Sequence, residues 1–318
     1  MPKIILGLEI SDDAITAVQV KGDPKRYQVT GCDRVEIEGN DGFDDAMKSL
    51  LDRIGHANDI CITAIPGEEA SYRNLQMPFR DTKKIRQTLP FEIEQMLPFP
   101  IEEMVLDFTV NKRSGHSEIL AVSVKKSLIS KYLEQINSQG IDPDILDIRG
   151  VPVVSWLLRQ EGAPEDGIYI EINEKMATMA LYLKRRVVLI RTFALNGLSI
   201  PPTIPGIGNG KKTDTRTPAM VENTIHAFAS QKNETVRPKR IFFTGAGALN
   251  PETEGLLGRF FDIPAEHINL GRDKRVHMDE DISENWNPAL MNGALALALR
   301  DSRHGQGFNF RKDEFEIK

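Results

Sequence analysis

IILGLEISDDAITAVQV (residues 4–20) and GIYIEINEKMATMALYL (residues 167–183) share one pattern: apolar strand, acidic residue, short polar turn, apolar strand. At an offset of 162 positions Glu9 falls on Glu171, Ile10 on Ile172, Ser11 on Asn173 and Thr16 on Thr178. A strand–turn–strand repeated near the start of each half predicts two related lobes, with a ligand cleft at the turns. Neither turn contains a glycine, which is odd for a site where backbone N–H groups are to cradle a phosphate.

Composition bounds what such lobes can do. A chain of 318 residues has room for about two domains. Its hydrophobic content of 40% and aromatic content of 7% are those of an ordinary globular protein. The net charge is −6 with no long basic run, which argues against general nucleic-acid binding. Cys32 and Cys61 form no motif and read as reduced thiols. The N-terminus, MPKIILGLEI, lacks the layout of a signal peptide. No stretch approaches the roughly 18 apolar residues of a membrane span, and Ala289–Leu299 reads as a packed helix.

Outward from the first repeat, the pattern predicts strands over Lys3–Ile10, Ala14–Lys21 and Arg26–Ile37, a helix over Phe43–Ile54 and a strand over Ile60–Ile65. From Ser71 the grammar changes to a strand at Tyr72–Met77, a helix capped by Asp81 and running to about Met96, a hairpin at Val105–Asn111 and Glu118–Val124, and a helix over Lys126–Ser138. This is a ferredoxin-like β-α-β-β-α insert, followed by a strand at Ile141–Ile148 and a helix at Val151–Gln160. The second lobe repeats the opening with Ile168–Glu171, Met176–Leu183 and Val187–Phe193. A helix over Pro218–Gln231, a strand over Arg240–Thr244, a helix over Pro251–Phe260 and a last helix over Pro288–Arg300 complete it. The domain expectation is therefore lobe I over 1–70 and 141–163, the insert over 71–140, lobe II over 164–300 with a short extra part near 196–235, and a polar, loose tail over 301–318.

Chemical motifs are sparse. PGIGNGKKTDT (205–215) fails as a P-loop, because Pro205 stands where the first glycine belongs and Lys212 where the serine or threonine belongs. Gly245-Ala246-Gly247-Ala248 follows a strand, but Asn250 stands at the third glycine of a dinucleotide fingerprint, leaving a tight packing turn or a ligand turn as readings. The six histidines are scattered and no nucleophile motif is present, so neither a metal nor a catalytic residue is expected. The richest local signal is PFEIEQMLPFPIEEMVLDF (90–108), where Met96, Leu97, Phe99 and Ile101 bunch around Pro98 and Pro100 beside Glu92 and Glu94. It reads equally as a core connector and as a partly exposed ledge for a partner.

The repeated turn, the insert and the late Gly-Ala-Gly-Ala turn resemble the actin-like ATPase superfamily, an α/β fold of duplicated ribonuclease H-like lobes. AIPGEEASYRNLQMPFRDTKKIRQTLPFEIEQMLPFPIEEMVLDFTV (64–110) is similar to the PilM proteins of type IV pilus assembly and to the cytoplasmic domain of GspL of type II secretion. Pro66-Gly67-Glu68, the Glu92 to Pro98-Phe99 spacing and Asn309-Phe310-Arg311-Lys312 carry the likeness. In the GspL type a membrane helix follows the body. In the PilM type a short Asn-Leu-hydrophobic motif begins a separate membrane partner, PilN. GFNFRKDEFEIK (307–318) looks like that motif fused to the body, with Arg311, Lys312 and Lys318 suited to a segment just before a membrane, so the resemblance implies a membrane helix after Lys318.

The resemblance also defines a degenerate nucleotide cleft. The phosphate turns of ATP-binding relatives read Asp-x-Gly-Ser/Thr; here they are Glu9-Ile10-Ser11-Asp12-Asp13 and Glu171-Ile172-Asn173-Glu174-Lys175, with Gly245, Ala246 and Gly247 at the adenosine turn. Asp12 and Asp13 place negative charge beside any polyphosphate, at a cost on the order of 1 kcal/mol per pair in water at 4 Å. The expectation is a non-catalytic scaffold without a cofactor, lying at the cytoplasmic face of the inner membrane. It would link an assembly ATPase of the GspE or PilB type to membrane partners of the GspM or PilN type, through Glu92, Glu94, Met96, Pro98, Phe99 and Pro100. The alternative is a PilM-like switch that binds ATP and magnesium, and homodimerisation is left open.

Overall fold

A computed structural model describes residues 3–23, 26–39, 42–55, 58–195, 216–300 and 307–317. The chain forms two compact units, one of Met1–Trp156, Leu270–Trp286 and Gly293–Lys318, the other of Leu157–Asn269 and Asn287–Asn292. In chain order the strands are β1 (Lys3–Ile10), β2 (Ala14–Asp23), β3 (Arg26–Glu36), β4 (Ile60–Ile65), β5 (Ala70–Met77), β6 (Met104–Lys112), β7 (Ser117–Lys125), β8 (Ile145–Ile148), β9 (Gly167–Ile172), β10 (Met176–Leu183), β11 (Arg186–Ala194), β12 (Ile241–Thr244), β13 (Ala265–His267) and β14 (Val276–His277). The helices are α1 (Gly42–Ile54), α2 (Thr82–Ile93), α3 (Lys126–Asn137), α4 (Val151–Leu157), α5 (Arg216–Lys232), α6 (Glu252–Phe261), α7 (Glu280–Asn285) and α8 (Pro288–Ala298).

The first unit is built on a six-stranded sheet of order β14-β3-β2-β1-β4-β8. Alternation along β1 and β2 turns Leu6, Leu8, Ile15 and Ala17 toward α1, whose Ala46, Met47, Leu50 and Leu51 complete that core. On β1 and α8 the backbones touch: a Cβ at position 7 would collide with the Ala294 carbonyl and the Ala298 amide. Only glycine permits that approach. A second, three-stranded antiparallel sheet, β5-β7-β6, carries α2 through Ile85, Leu89 and Ile93. These residues recur every four positions and so form one helical stripe. The chain order here is β-α-β-β-α, as the pattern predicts.

The second unit is a five-stranded sheet of order β11-β10-β9-β12-β13. Ile168, Ile170, Met179, Leu181 and Phe243 pack with Val221, Ile225 and Phe228 of α5 and Leu256 and Leu257 of α6. Each unit thus begins with a hairpin whose first strand also pairs in parallel with a later one, β1 with β4 and β9 with β12. The loop 205–215 lies outside the described residues.

The C-terminal third is apportioned differently from the sequence expectation. Leu270–Trp286 and Gly293 onward fall in the first unit, because β14 pairs with β3 and α8 packs at Gly7. Strands of three and two residues such as β13 and β14 are too short to leave a periodic signal. The predicted strand at 141–148 shortens to β8, since Asp144 turns its carboxylate to accept from Cys61 N at 2.8 Å.

The tail is not loose over 307–317. Phe308 and Phe310 are buried, at 1% and 0% exposure. The segment covers the outer edge of β8: Phe310 N donates to the Leu146 carbonyl at 2.8 Å, and Asn309 Oδ1 accepts from Leu146 N at 3.2 Å. An uncovered strand edge presents unpaired donors and acceptors to water or to other chains, and here the chain's own tail closes it. Asp147 on β8 accepts from Ile148 N at 2.7 Å and Phe308 N at 3.1 Å and pairs with Arg300, which donates to the Phe308 carbonyl at 2.6 Å. Gly307 stands at φ +123°, and a Cβ there would meet Asp147 Oδ2 at 2.7 Å. On β6, Asp107 accepts from Asn309 N at 2.8 Å and pairs with Lys312. Arg311–Asp142 at 2.9 Å and Lys126–Glu314 at 3.1 Å lie farther out.

Phe310→Ala removes a fully buried ring and is expected to cost about 3–5 kcal/mol of stability in urea unfolding. Glu316→Ala, at an exposed position, should change it by less than about 0.5 kcal/mol.

Candidate functional site

The sequence-selected residues fall on four turns, two in each unit. In the first unit β1 runs into the Ser11–Ala14 turn, closed by Ser11 N donating to the Ala14 carbonyl at 2.9 Å. Ser11 Oγ donates to Asp13 Oδ1 at 2.7 Å and accepts from Ala14 N at 3.1 Å. Asp13 also pairs with Arg34 of β3 at 2.8 Å. Burial opposes its charge, but the Ser11 hydroxyl and the Arg34 guanidinium outweigh it and hold the carboxyl below its ordinary value. Asp12 and Asp13 lie exposed on the turn, and both carboxylate oxygens of Asp13 are engaged, by Ser11 and by Arg34.

Glu9, one pleat before the turn, lies over the backbone of α8, where a Cβ at Gly293 would collide with its carboxylate. The Arg149 guanidinium stands 3.6 Å from Glu9 Oε1 and donates to the Ile10 carbonyl. Both side chains are largely buried, at 9% exposure for Arg149 and 16% for Glu9. The sequence reading missed Arg149 and Arg34. A lone arginine 140 positions downstream of Glu9 leaves no signal in the sequence, whereas Arg34 on a predicted strand beside the hairpin could have been reached from strand register.

In the second unit the β9–β10 turn repeats this geometry. Asn173 N donates to the Met176 carbonyl at 2.9 Å, the counterpart of Ser11 to Ala14 at the same offset of 162. Glu9 faces Thr16 across its hairpin, and Glu171 faces Thr178. Glu171 is buried, with Asn173 Nδ2 donating to Oε1 at 2.9 Å and the Tyr169 hydroxyl to Oε2 at 3.2 Å. Gly245 and Gly247, with Ala246 between them, close on this turn. Gly245 has φ +90°, and a Cβ there would lie 2.5 Å from the Ile172 carbonyl oxygen and 2.8 Å from Asn173 Oδ1. A Cβ at Gly247 would lie 2.6 Å from the Ile172 side chain. The glycines are therefore required by packing against residues 172–173. Asn250 Oδ1 accepts from Glu252 N at 2.9 Å and opens α6.

The ledge is divided. Leu97 and Ile101 pack against the core under α2, whereas Met96 and Phe99 stay 46% and 43% exposed. Glu92, Glu94, Pro98 and Pro100 are exposed as well. Among the described residues no cluster of His, Cys, Asp and Glu has the makings of a metal site, and no helix is long and apolar enough to cross a membrane.

A double-mutant cycle with Glu9→Gln and Arg149→Gln should show a coupling of about 0.5–3 kcal/mol in urea unfolding, since the two charges neutralise one another out of water. Additive effects would dissolve the pair.

Among solved structures the chain is similar to a PilM–PilN type IV pilus biogenesis complex at 19% identity and a TM-score of 0.72, covering 93% of this chain and 98% of that one. It is similar to the cytoplasmic domain of EpsL, an inner-membrane component of the type II secretion system of Vibrio cholerae, at 10% identity and a TM-score of 0.51, covering 98% and 100%. A Bacteroides thetaiotaomicron protein with an actin-like ATPase fold and unknown function aligns at 10% identity and a TM-score of 0.50, over 94% and 96%. These likenesses establish the actin-like fold. No curated protein matches the chain. The family model of the type IV pilus assembly protein PilM matches residues 7–204, well over half of the length, and the chain belongs to that family.

Proposed function

We propose that this chain is a non-catalytic scaffold at the cytoplasmic face of an inner-membrane assembly platform, of the type IV pilus or the related type II secretion machine. It would join the assembly ATPase to membrane partners. The observation that carries this reading is that the acids of both turns are engaged by the protein itself. Glu9 has the Arg149 guanidinium as its counter-ion, and Glu171 accepts from Asn173 and Tyr169. A nucleotide of the kind the fold family binds needs acids free to hold metal-bound water and glycine amides open to phosphate. The residues present do not fit it. Ser11 Oγ is turned onto Asp13 and Ala14 N, Asp13 is itself paired with Arg34, and the glycines at 245 and 247 serve packing.

The tail supports the scaffold reading from another side. Its Asn309 is locked between β6 and β8, and the segment resembles the motif that begins a PilN-type partner. The chain thus fills this place with its own residues.

The second reading is an ATP-dependent switch, favoured by the retained Gly245-Ala246-Gly247 turn. Complementation separates the two. In a strain lacking the chain, Glu171→Gln and Asp12→Asn variants are expected to restore pilus assembly or secretion to wild-type levels. A loss of ten-fold or more at equal protein abundance would return the switch.

A further inference from the structure

One end of the second unit's sheet carries positive charge on a turn that the fold would build more easily without it. Strands β10 and β11 pair as far as Leu183 and Arg186, so Lys184 and Arg185 alone make the hairpin turn. Both stand in the left-handed region, at φ +52° and +57°. Two-residue turns of this kind favour asparagine and glycine, which enter that region at little cost, whereas lysine and arginine are strained there. The strained pair is exposed, together with Arg186.

Neighbouring segments bring more cations to the same place. Arg185 N donates to the Glu165 carbonyl at 2.8 Å, Lys184 N to Asp166 Oδ1 at 2.8 Å, Lys239 N to the Asp166 carbonyl at 3.2 Å and Ile241 N to the Pro264 carbonyl at 2.9 Å. The segments 163–167, 182–187, 236–241 and 264–267 therefore form one end of the sheet. Their lysines and arginines are Lys184, Arg185, Arg186, Arg237, Lys239 and Arg240; their carboxylates are Glu165, Asp166 and Glu266. Glu266 is paired with Arg240 at 3.1 Å, and Asp166 accepts from the turn. Lys184, Arg185, Arg186, Arg237 and Lys239 make no ion pair among the described residues. The charges just outside these segments come one of each sign, Arg159 with Glu161, Lys232 with Glu234 and Arg259 with Asp262, so the positive excess stands. On a chain of net charge −6 it is a local reversal of sign.

We propose that this end of the second unit is a contact surface for an anionic lipid bilayer, held through the phosphate headgroups. Charge complementarity and the lack of an apolar anchor together select this occupant. The exposed large hydrophobic side chains among the described residues are Phe91, Met96, Phe99, Leu249 and Ile317, and none belongs to these segments. A protein partner draws most of its affinity from a buried aromatic or apolar anchor, and a discrete phosphate site from convergent, desolvated donors. A bilayer surface needs neither, because it attracts each lysine or arginine by charge alone within about a Debye length. The inference rests on the reading that the chain works at an inner-membrane face, which also makes lipid rather than nucleic acid the polyanion within reach. It adds a place where the body itself meets that face.

Flotation of the purified chain with vesicles tests it. Vesicles of phosphatidylethanolamine with about 30% phosphatidylglycerol should carry the chain, and pure phosphatidylcholine vesicles should not. The double variant Lys184→Asn/Arg185→Gly suits the turn better, so its melting temperature should be equal or higher, yet its partitioning onto the anionic vesicles should fall about ten-fold or more. Lys83→Gln/Lys84→Gln removes the same charge from exposed positions on α2 and should leave partitioning unchanged. Added salt should weaken binding of the wild-type chain. Partitioning that survives in Lys184→Asn/Arg185→Gly, or that falls as far in the α2 variant, overturns the proposal. Displacement by inorganic phosphate beyond the effect of chloride at equal ionic strength marks a phosphate site and also overturns it. So does a lack of vesicle binding, and retention on poly-glutamate in that case assigns the surface to an acidic protein. Each outcome is read on lipid alone, so the scaffold reading stands or falls separately, by complementation.

Discussion

The approach of β1 to α8 governs the first unit. The strand and helix backbones lie so close that residue 7 has no room for a Cβ, and one turn away residue 293 has none because the Glu9 carboxylate occupies the space. Helix α8 therefore does more than cover a sheet face. It fixes where Glu9 points, toward Arg149. It also delivers the chain to Arg300, from which the tail segment 307–317 runs along β8. The neutralised acid and the covered sheet edge both lie along the path of this helix and the chain that leaves it.

The same turn geometry recurs in the second unit with a different solution. There the acid is held by neutral donors, Asn173 and Tyr169, instead of a cation. Acids at equivalent strand positions are thus held by unlike partners. The hydrogen-bond pattern of the hairpins has stayed, because it belongs to the strands. The chemistry of the side chains at the turns has diverged.

Much of this was legible in the sequence, for definite reasons. The repeat at an offset of 162 reads directly as strand register, because Glu9 to Thr16 and Glu171 to Thr178 are cross-strand pairs. The insert was legible from the Asp81 cap, whose side chain accepts from Lys83 N at 2.7 Å, and from the hairpin alternation. Arg149 was not, since nothing local marks an arginine that meets its partner across the fold. The tail misled because its charges dominate its composition. The alternation of Phe308 and Phe310 around Asn309 was the overlooked signal, a period of two that marks an added edge segment.

In the proposed reading, the two repeated turns have kept the fold's geometry and given up its nucleotide. Calorimetric titration of the chain with ATP and magnesium tests it most directly. A non-catalytic scaffold should show no saturable binding up to millimolar nucleotide. A micromolar dissociation constant that is lost in Gly245→Ala and Glu171→Gln would contradict it.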